Sequence, residues 1–314
     1  MEVYSKRMST QRFLHRRYAV TVACALLGLG VITLSLPAHA QRGLGLVPMR
    51  QELKIAPGQQ VSGALKLNSE SGVKTRIRAE IDDFDIDSTD TPQFERNLPQ
   101  ETAFSCKNWL SLNPMEIELE QGGSLLVRYT IRVPADAAEG SYNCAAGFTT
   151  LPSADQAAAP GVGMHMEVRI VSAFYVQVGN PPVAGSLKEI KLEAIPPTAA
   201  PAEGGPAKDS TETKSTWQAV VVLENSGKMY FRPAGTLEVL DANGKTVETD
   251  DFPSMAVLRE RTQRVIFPLK TNLEPGNYKL RVNVDIGTGE IQAGTADVAV
   301  EPPPPAPAAK PAPK

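Results

Sequence analysis

Histidine and cysteine are scarce in this chain, which has three of each among 314 residues. Only His165, Cys106 and Cys144 lie beyond the first forty residues. A structural zinc site needs about four such ligands. We therefore expect neither a bound metal nor a cofactor.

Other patterns that would indicate an activity are also missing. The chain has no G-x-S-x-G phrase, which would mark a hydrolase nucleophile. Asp83, Asp85 and Asp87 alternate with apolar residues, but this stretch lacks the glycine and the closing glutamate of a calcium-binding loop. Beyond residue 40 no basic tract occurs, so nucleic acid is not an expected partner. We expect a protein that is not an enzyme and has no small-molecule substrate.

The first forty residues have the composition of an export signal. Basic residues precede an apolar run from Ala19 to Leu36, and Ala38 and Ala40 fit an A-x-A cleavage site. We predict a signal peptide at 1–40 and a periplasmic or otherwise exported protein. An uncleaved membrane anchor is the alternative, and it would be the only membrane contact. The exported part has 27 Lys and Arg against 34 Asp and Glu.

Cys106 and Cys144 are the only two cysteines of the exported part. Disulfides form in oxidising compartments, so we expect these residues to pair, and two buried free thiols are the alternative. The pair would close a loop of 38 positions, which the chain-entropy model values at about 4 kcal/mol.

Short runs of alternating apolar and polar residues, separated by turn residues, fill the chain after residue 40. This period of two is typical of half-buried strands, and it occurs in ALKLN (64–68), TRIRAEI (75–81), LLVRYTIRV (125–133), TWQAVVVLEN (216–225) and NYKLRVNVDI (277–286). We predict an all-β fold with two tandem immunoglobulin-like antiparallel β-sandwiches.

The predicted domains follow from composition. Asn180-Pro181-Pro182 marks a boundary between a first domain at 41–180 and a second at 181–300. Within the second domain, the polar low-complexity segment 196–215 is predicted to be a disordered insertion. Residues 301–314 form a proline-rich tail.

Two tyrosines follow a turn in the phrases EGSYNC and EPGNYK. In immunoglobulin-like sandwiches a tyrosine at this place bonds back to the preceding corner, two residues ahead of a cysteine. Tyr142 has that spacing to Cys144, and Tyr278 marks the equivalent corner in the second domain.

The order of phrases in SCKNWLSLNPMEIELEQGGSLLVRYTIRVPADAAEGSYNCAAGF (105–148) resembles the N-terminal domain of periplasmic pilus-assembly chaperones of the PapD type. The resemblance covers about residues 44–180. VVLENSGKMYFRPAGTLEVLDANGK (221–245) is similar to the second domain of their looser bacterial relatives.

The resemblance implies a mechanism, because such chaperones hold an incomplete fibre subunit by donating their own last strand to its sheet. The candidate strand is MHMEVRI (164–170), in which Met164, Met166, Val168 and Ile170 share one face. The alternative is that these four side chains fill the core of their own domain.

The family also anchors a subunit's terminal carboxylate with a basic pair. Arg50 and Arg169 are the candidates here, although Ser172 occupies the position where the resemblance would place a lysine. We therefore expect an exported chaperone-like protein that binds or assembles surface or fimbrial subunits by strand complementation. A structural or adhesive immunoglobulin-like module of the cell envelope is the alternative.

Overall fold

The computed structural model describes residues 43–87, 89–95, 104–151, 167–195 and 217–301. The predicted signal peptide, the predicted insertion, Met164, Met166 and nearly all of the tail lie outside the described residues. Within the described ranges, the one helical element is the 3-10 turn Lys107–Trp109. No described helix is long and apolar enough to span a bilayer.

The described residues of the first sandwich form ten strands. In chain order they are β1 (Leu44–Val47), β2 (Arg50–Lys54), β3 (Gln60–Ser69), β4 (Thr75–Ile86), β5 (Pro92–Glu95), β6 (Leu110–Asn113), β7 (Glu116–Leu119), β8 (Ser124–Arg132), β9 (Gly140–Leu151) and β10 (Arg169–Val178). One sheet has the order β1-β3-β8-β6, and the other has the order β2-β10-β9-β4-β5 with β7 also paired to β4.

The facing sides of these two sheets form one apolar core. Its fully buried members include Leu65, Leu67, Val127, Ile131, Phe148 and Phe174. Each large apolar side chain removed from water stabilises the fold by about 2 kcal/mol.

In the second sandwich the structure describes seven strands. They are β11 (Gly185–Ala194), β12 (Trp217–Asn225), β13 (Ala234–Leu240), β14 (Thr246–Asp251), β15 (Arg261–Pro268), β16 (Gly276–Asp285) and β17 (Ile291–Val300). The sheet β11-β12-β15 packs on the sheet β14-β13-β16-β17. The molecule therefore consists of two tandem immunoglobulin-like β-sandwiches, as the alternating pattern predicts.

Among the described strands, one strand pairing departs from the predicted antiparallel arrangement. β2 runs parallel to β10, with Arg50 opposite Ala173 and Lys54 opposite Gln177. The chain changes sheets between β1 and β2 at Pro48, a residue whose missing N–H cannot donate to a ladder. Because of this change, the first segment of the domain contributes one strand to each sheet.

Local contacts hold the corners and turns. A disulfide joins Cys106 to Cys144 with their Cα atoms 5.1 Å apart, as expected from their export context. The Tyr142 hydroxyl donates to the Ala138 carbonyl at 2.9 Å, and the Tyr278 hydroxyl donates to the Glu274 carbonyl at 3.0 Å. Both contacts have the geometry of a tyrosine corner.

Candidate functional site: the open edge of β10 and the cleft between the sandwiches

The last strand of the first sandwich is covered on one edge only in part. β10 pairs with β9 along its whole length, from Arg169 to Val178. On its other edge, β2 pairs only with the stretch from Ala173 to Gln177. No described strand covers the edge at 169–172, which we call the open edge of β10.

The direction of the main-chain groups follows from the pairing. The Ala173 N–H donates to the Met49 carbonyl, and the Ile55 N–H donates to the Gln177 carbonyl. Odd-numbered residues of β10 therefore direct their main-chain groups away from β9. By the alternation of a strand, the N–H and C=O groups of Arg169 and Val171 point to the open edge.

The side chains of β10 face two different environments. Phe174, Val176 and Val178 lie in the core of the first sandwich, and Ile170 packs half-buried at its margin. Val171 and Tyr175 face the second sandwich.

Two of the four predicted donor residues can be located. Val168 lies half-buried just before β10, where its N–H donates to the Thr150 hydroxyl and its carbonyl accepts from the Thr150 N–H. Ile170 contacts the core of its own domain, as the alternative interpretation requires. Because Met164 and Met166 lie outside the described residues, the donor face stays a prediction.

The two predicted anchor arginines occupy different surroundings. The Arg169 guanidinium donates to the Asp82 carboxylate at 2.5 Å and to the Phe94 carbonyl at 2.8 Å. Asp82 is 0% exposed, so Arg169 neutralises a buried charge. Ser172 donates its hydroxyl to the Pro48 carbonyl. The predicted anchor role of Arg169 thus competes with a structural one.

Arg50 lies at a cleft of about 270 Å³ between the sandwiches. Its Nε is 3.3 Å from a Glu52 carboxylate oxygen, and its Nη1 donates to the Ser254 hydroxyl. About half of its side chain is exposed. Both sandwiches contribute walls to this cleft, chiefly through Met49, Arg50, Phe84, Tyr175, Arg232, Ser254, Ala256 and Gln263.

Arg232 is the most extensively packed cation in the cleft. Its Nε donates to the same Glu52 oxygen at 2.8 Å, and its Nη1 donates to the Ser254 carbonyl. The guanidinium carbon lies 4.8 Å from the centre of the Tyr175 ring, within cation–π range. Its Nη2 has no hydrogen-bond partner in the described part of the chain.

Burial controls the ionisation of the neighbouring phenols. Burial raises the pKa of Tyr230 to about 12, with a smaller contribution from the Glu52 carboxylate. Burial also raises the pKa of Tyr175, although the Arg232 charge opposes the shift. Both phenols are therefore neutral at physiological pH, and Tyr175 lines the cleft.

Sequence reasoning missed Arg232 and Gln263. Arg232 stands in MYFRPAG, where an arginine between aromatic residues and a proline gave the only local indication. Gln263 occupies a core-facing position of β15, on the same face of the strand as Val265 and Phe267. A polar residue within an apolar face is the pattern that would have identified it. In the described ranges, no group of three His, Cys, Asp or Glu side chains could hold a metal ion.

No protein-family model matches the chain, and no curated protein matches it either. Solved structures do resemble it. The class 5 fimbriae chaperone CfaA is 10% identical, with a TM-score of 0.42, and the match covers 83% of this chain and 100% of that one. The Escherichia coli chaperone DraB is 13% identical, with a TM-score of 0.38 and coverage of 83% and 98%.

A third similar chain comes from the Salmonella enterica SafA pilin in complex with the SafB chaperone. It is 11% identical, with a TM-score of 0.38 and coverage of 84% of this chain and 99% of that one. This chain is similar to fimbrial chaperones. At these identities and TM-scores, the likeness carries no argument about function.

Proposed function

We propose that this protein is an exported chaperone-like factor that binds a surface or fimbrial subunit by β-strand complementation. The observation that carries this proposal is the open edge of β10. There Arg169 and Val171 direct their main-chain groups away from the sheet, whereas the stretch from Ala173 to Gln177 is paired with β2. Unprotected edges pair readily with strands of other chains.

The partner strand would add to the sheet next to β10. The N–H and C=O groups of Arg169 and Val171 would supply the main-chain hydrogen bonds, which give affinity. Apolar side chains at alternate positions, Val168 and Ile170 together with the predicted Met164 and Met166, would fill the groove of an incomplete subunit. No step of this binding requires a catalytic group.

Export is supported by two independent features. The N-terminal composition fits a signal peptide, and the Cys106–Cys144 disulfide fits an oxidising compartment. We further propose domain boundaries at 41–180 and 181–300, because the two sandwiches have separate cores and the Asn180-Pro181-Pro182 segment connects β10 to β11.

A proline substitution tests the edge directly. Val171→Pro removes one N–H from the open edge and leaves the bonds to β9 in place, because those bonds involve even-numbered residues. We expect it to abolish capture of partner proteins from periplasmic extract, as measured by mass spectrometry, with the thermal melting profile retained. Val171→Ala is the matched control, because it shortens the side chain and keeps the N–H.

Hydrogen exchange provides the second readout. In a purified complex, the amides of Arg169 and Val171 should exchange more slowly than in the free protein, because a partner strand would cover them. Equal capture by the proline and alanine variants contradicts strand addition and favours the structural or adhesive module.

Met166→Asp, which places a charge on the donor face, is expected to block binding while the fold remains intact.

A further inference from the structure

The last strand of the second sandwich has one edge that no described strand covers. β17 pairs with β16 along its whole length, from Ile291 to Val300, and it ends the sheet β14-β13-β16-β17. In an antiparallel sheet, alternate residues direct their N–H and C=O groups to opposite sides of a strand. Every second residue of β17 therefore presents main-chain groups to the uncovered edge, which can serve as a template for another strand.

β17 lacks the features by which folded proteins protect an edge, namely short length, several charges, proline and bulges. The other described strands at sheet edges have them. β1, β5, β6 and β7 have four residues each, and β2 has three charged residues among five. β11 contains a register shift, β14 carries three carboxylates, and β15 contains two arginines and a proline. β17 has ten residues and one charge, Asp297, which pairs with Lys279 at 3.4 Å.

The inner face of β17 is fixed against β11. The Gln292 side chain donates to the Gly185 carbonyl at 3.1 Å and accepts from the Leu187 N–H at 2.8 Å. A Cβ on Gly294 would lie 2.7 Å from the Leu187 side chain, so β11 packs directly on the strand at this point. These contacts hold β17 in place while its outer face and edge remain accessible. The outer residues are exposed and mostly small: Ile291, Ala293, Thr295, Asp297 and Ala299.

A second copy of β17 fits this edge in an antiparallel arrangement. A two-fold axis at Thr295 would pair the strand with its copy along nearly its whole length. Ile291, which is 70% exposed, would lie opposite Ala299, and the Asp297 carboxylate would lie opposite Ala293. Two threonines would face each other at the axis, which is a favourable cross-strand pair.

Other registers are less favourable. An axis at Ala296 would place the apolar Ile291 side chain opposite Glu301, and an axis at Asp297 would place two carboxylates opposite each other. We propose that two copies of this protein associate through β17 about an axis at Thr295, joining two four-stranded sheets into one of eight strands. Such a contact uses the same surface on both copies and closes as a dimer.

Cysteine cross-linking tests the contact and its register. Directly opposite Cα atoms of an antiparallel pair lie about 4.5–5.5 Å apart, a distance that a disulfide spans. In a Cys24→Ser background, which leaves no cysteine outside the disulfide, we expect Thr295→Cys to form a covalent dimer under mild oxidation. Ala299→Cys is the matched control, because it is also exposed and its two copies would lie about 27 Å apart along the strands. Equal cross-linking of the two variants overturns the inference.

Sedimentation equilibrium measures association without a cross-link. The wild type should approach the mass of a dimer as its concentration rises. Thr295→Lys should raise the dissociation constant of the dimer at least about tenfold, because two ammonium groups would face each other at the axis. Thr295→Val is the uncharged control, and both variants should melt as the wild type does, since residue 295 is exposed. A wild type that stays monomeric throughout the series overturns the inference, as does a dimer that Thr295→Lys leaves unweakened.

The inference does not rest on the proposed function, because β17 and β10 belong to different sandwiches. Val171→Pro should therefore dimerise as the wild type does, and Thr295→Lys should capture the same partner proteins as the wild type. Loss of dimerisation in Val171→Pro would contradict the assignment of the contact to β17.

Discussion

Two tyrosines make the same main-chain contact at different depths. The Tyr142 bond is partly buried, and its ring packs 4.4 Å from that of Trp109, whereas the Tyr278 bond is exposed. We predict that Tyr142→Phe lowers the free energy of unfolding by about 1 kcal/mol and that Tyr278→Phe lowers it by less than half of that. Urea denaturation of both variants checks this difference. Equal losses would show that depth does not control the strength of the corner.

A single carboxylate organises the loop between β4 and β5. The Thr89 hydroxyl and the Thr91 N–H donate to Asp87, and these bonds lower the Asp87 pKa from 3.8 to about 2. Since the pKa is depressed in the folded state, the stabilisation is fully present above pH 3.8 and is lost as pH falls through 2.

Thermal melts at a series of pH values measure this dependence. We predict that wild type is more stable than Asp87→Asn at pH 5 and that the difference disappears near pH 1.5. Thr89→Val should shift the wild-type transition toward higher pH, because it removes the bond that contributes most to the pKa shift. A difference between wild type and Asp87→Asn that stays constant with pH would exclude the carboxylate as its cause.

At the scale of the strand, the alternation of apolar and polar residues predicted the strands that have one solvent-exposed face. β3, β8 and β16 follow the period of two, whereas β12 has three consecutive buried residues, Ala219, Val220 and Val221. β9 lacks it, because its residues from Gly140 to Thr149 are buried on both faces, one against the core and the other toward the second sandwich. Burial on both faces removes the polar positions on which the pattern depends.

The cleft was less accessible to sequence reasoning than the strands were. Arg50 and Arg232 are separated by 182 positions and share one Glu52 oxygen. Their proximity depends on how the two sandwiches pack, which no local periodicity encodes. The change of sheet at Pro48, which leaves the open edge of β10 uncovered, is a tertiary feature of the same kind.

The disulfide constrains a segment of the chain that has little regular secondary structure. It ties the start of the 3-10 turn at Lys107–Trp109 to the middle of β9, across a loop of 38 positions. We predict that the double substitution of Cys106 and Cys144 by alanine lowers the free energy of unfolding by about 4 kcal/mol. Guanidinium denaturation measures the change, with a dithiothreitol-treated wild type as the matched reduced control. Unchanged stability in both samples would mean that the bond constrains nothing in the unfolded chain.

At the scale of the whole molecule, several polar contacts fix the arrangement of the two sandwiches. The Ser141 N–H donates to the Lys228 carbonyl, and the Arg259 guanidinium lies 3.7 Å from the centre of the Phe104 ring. The Arg264 N–H donates to the Asp90 carboxylate. Each of these contacts joins a residue of the first sandwich to a residue of the second.

Arg261 makes two bonds that cross between the sandwiches. Its Nη2 donates to the Asp87 carbonyl at 2.6 Å, and its Nη1 donates to the Asp85 carboxylate at 3.3 Å. Bonds of this kind to charged groups contribute about 1.5–3 kcal/mol. We predict that Arg261→Met keeps both sandwiches folded and loosens their relative orientation.

Residual dipolar couplings measure this orientation. The wild type should fit one alignment tensor for all described strands, whereas Arg261→Met should need a separate tensor for each sandwich. Arg281→Met is the control, because Arg281 pairs with Glu238 inside the second sandwich at 3.0 Å. A single tensor for Arg261→Met would show that the remaining contacts hold the cleft without this residue, and the Gln263 amide would then keep its place beside the first sandwich.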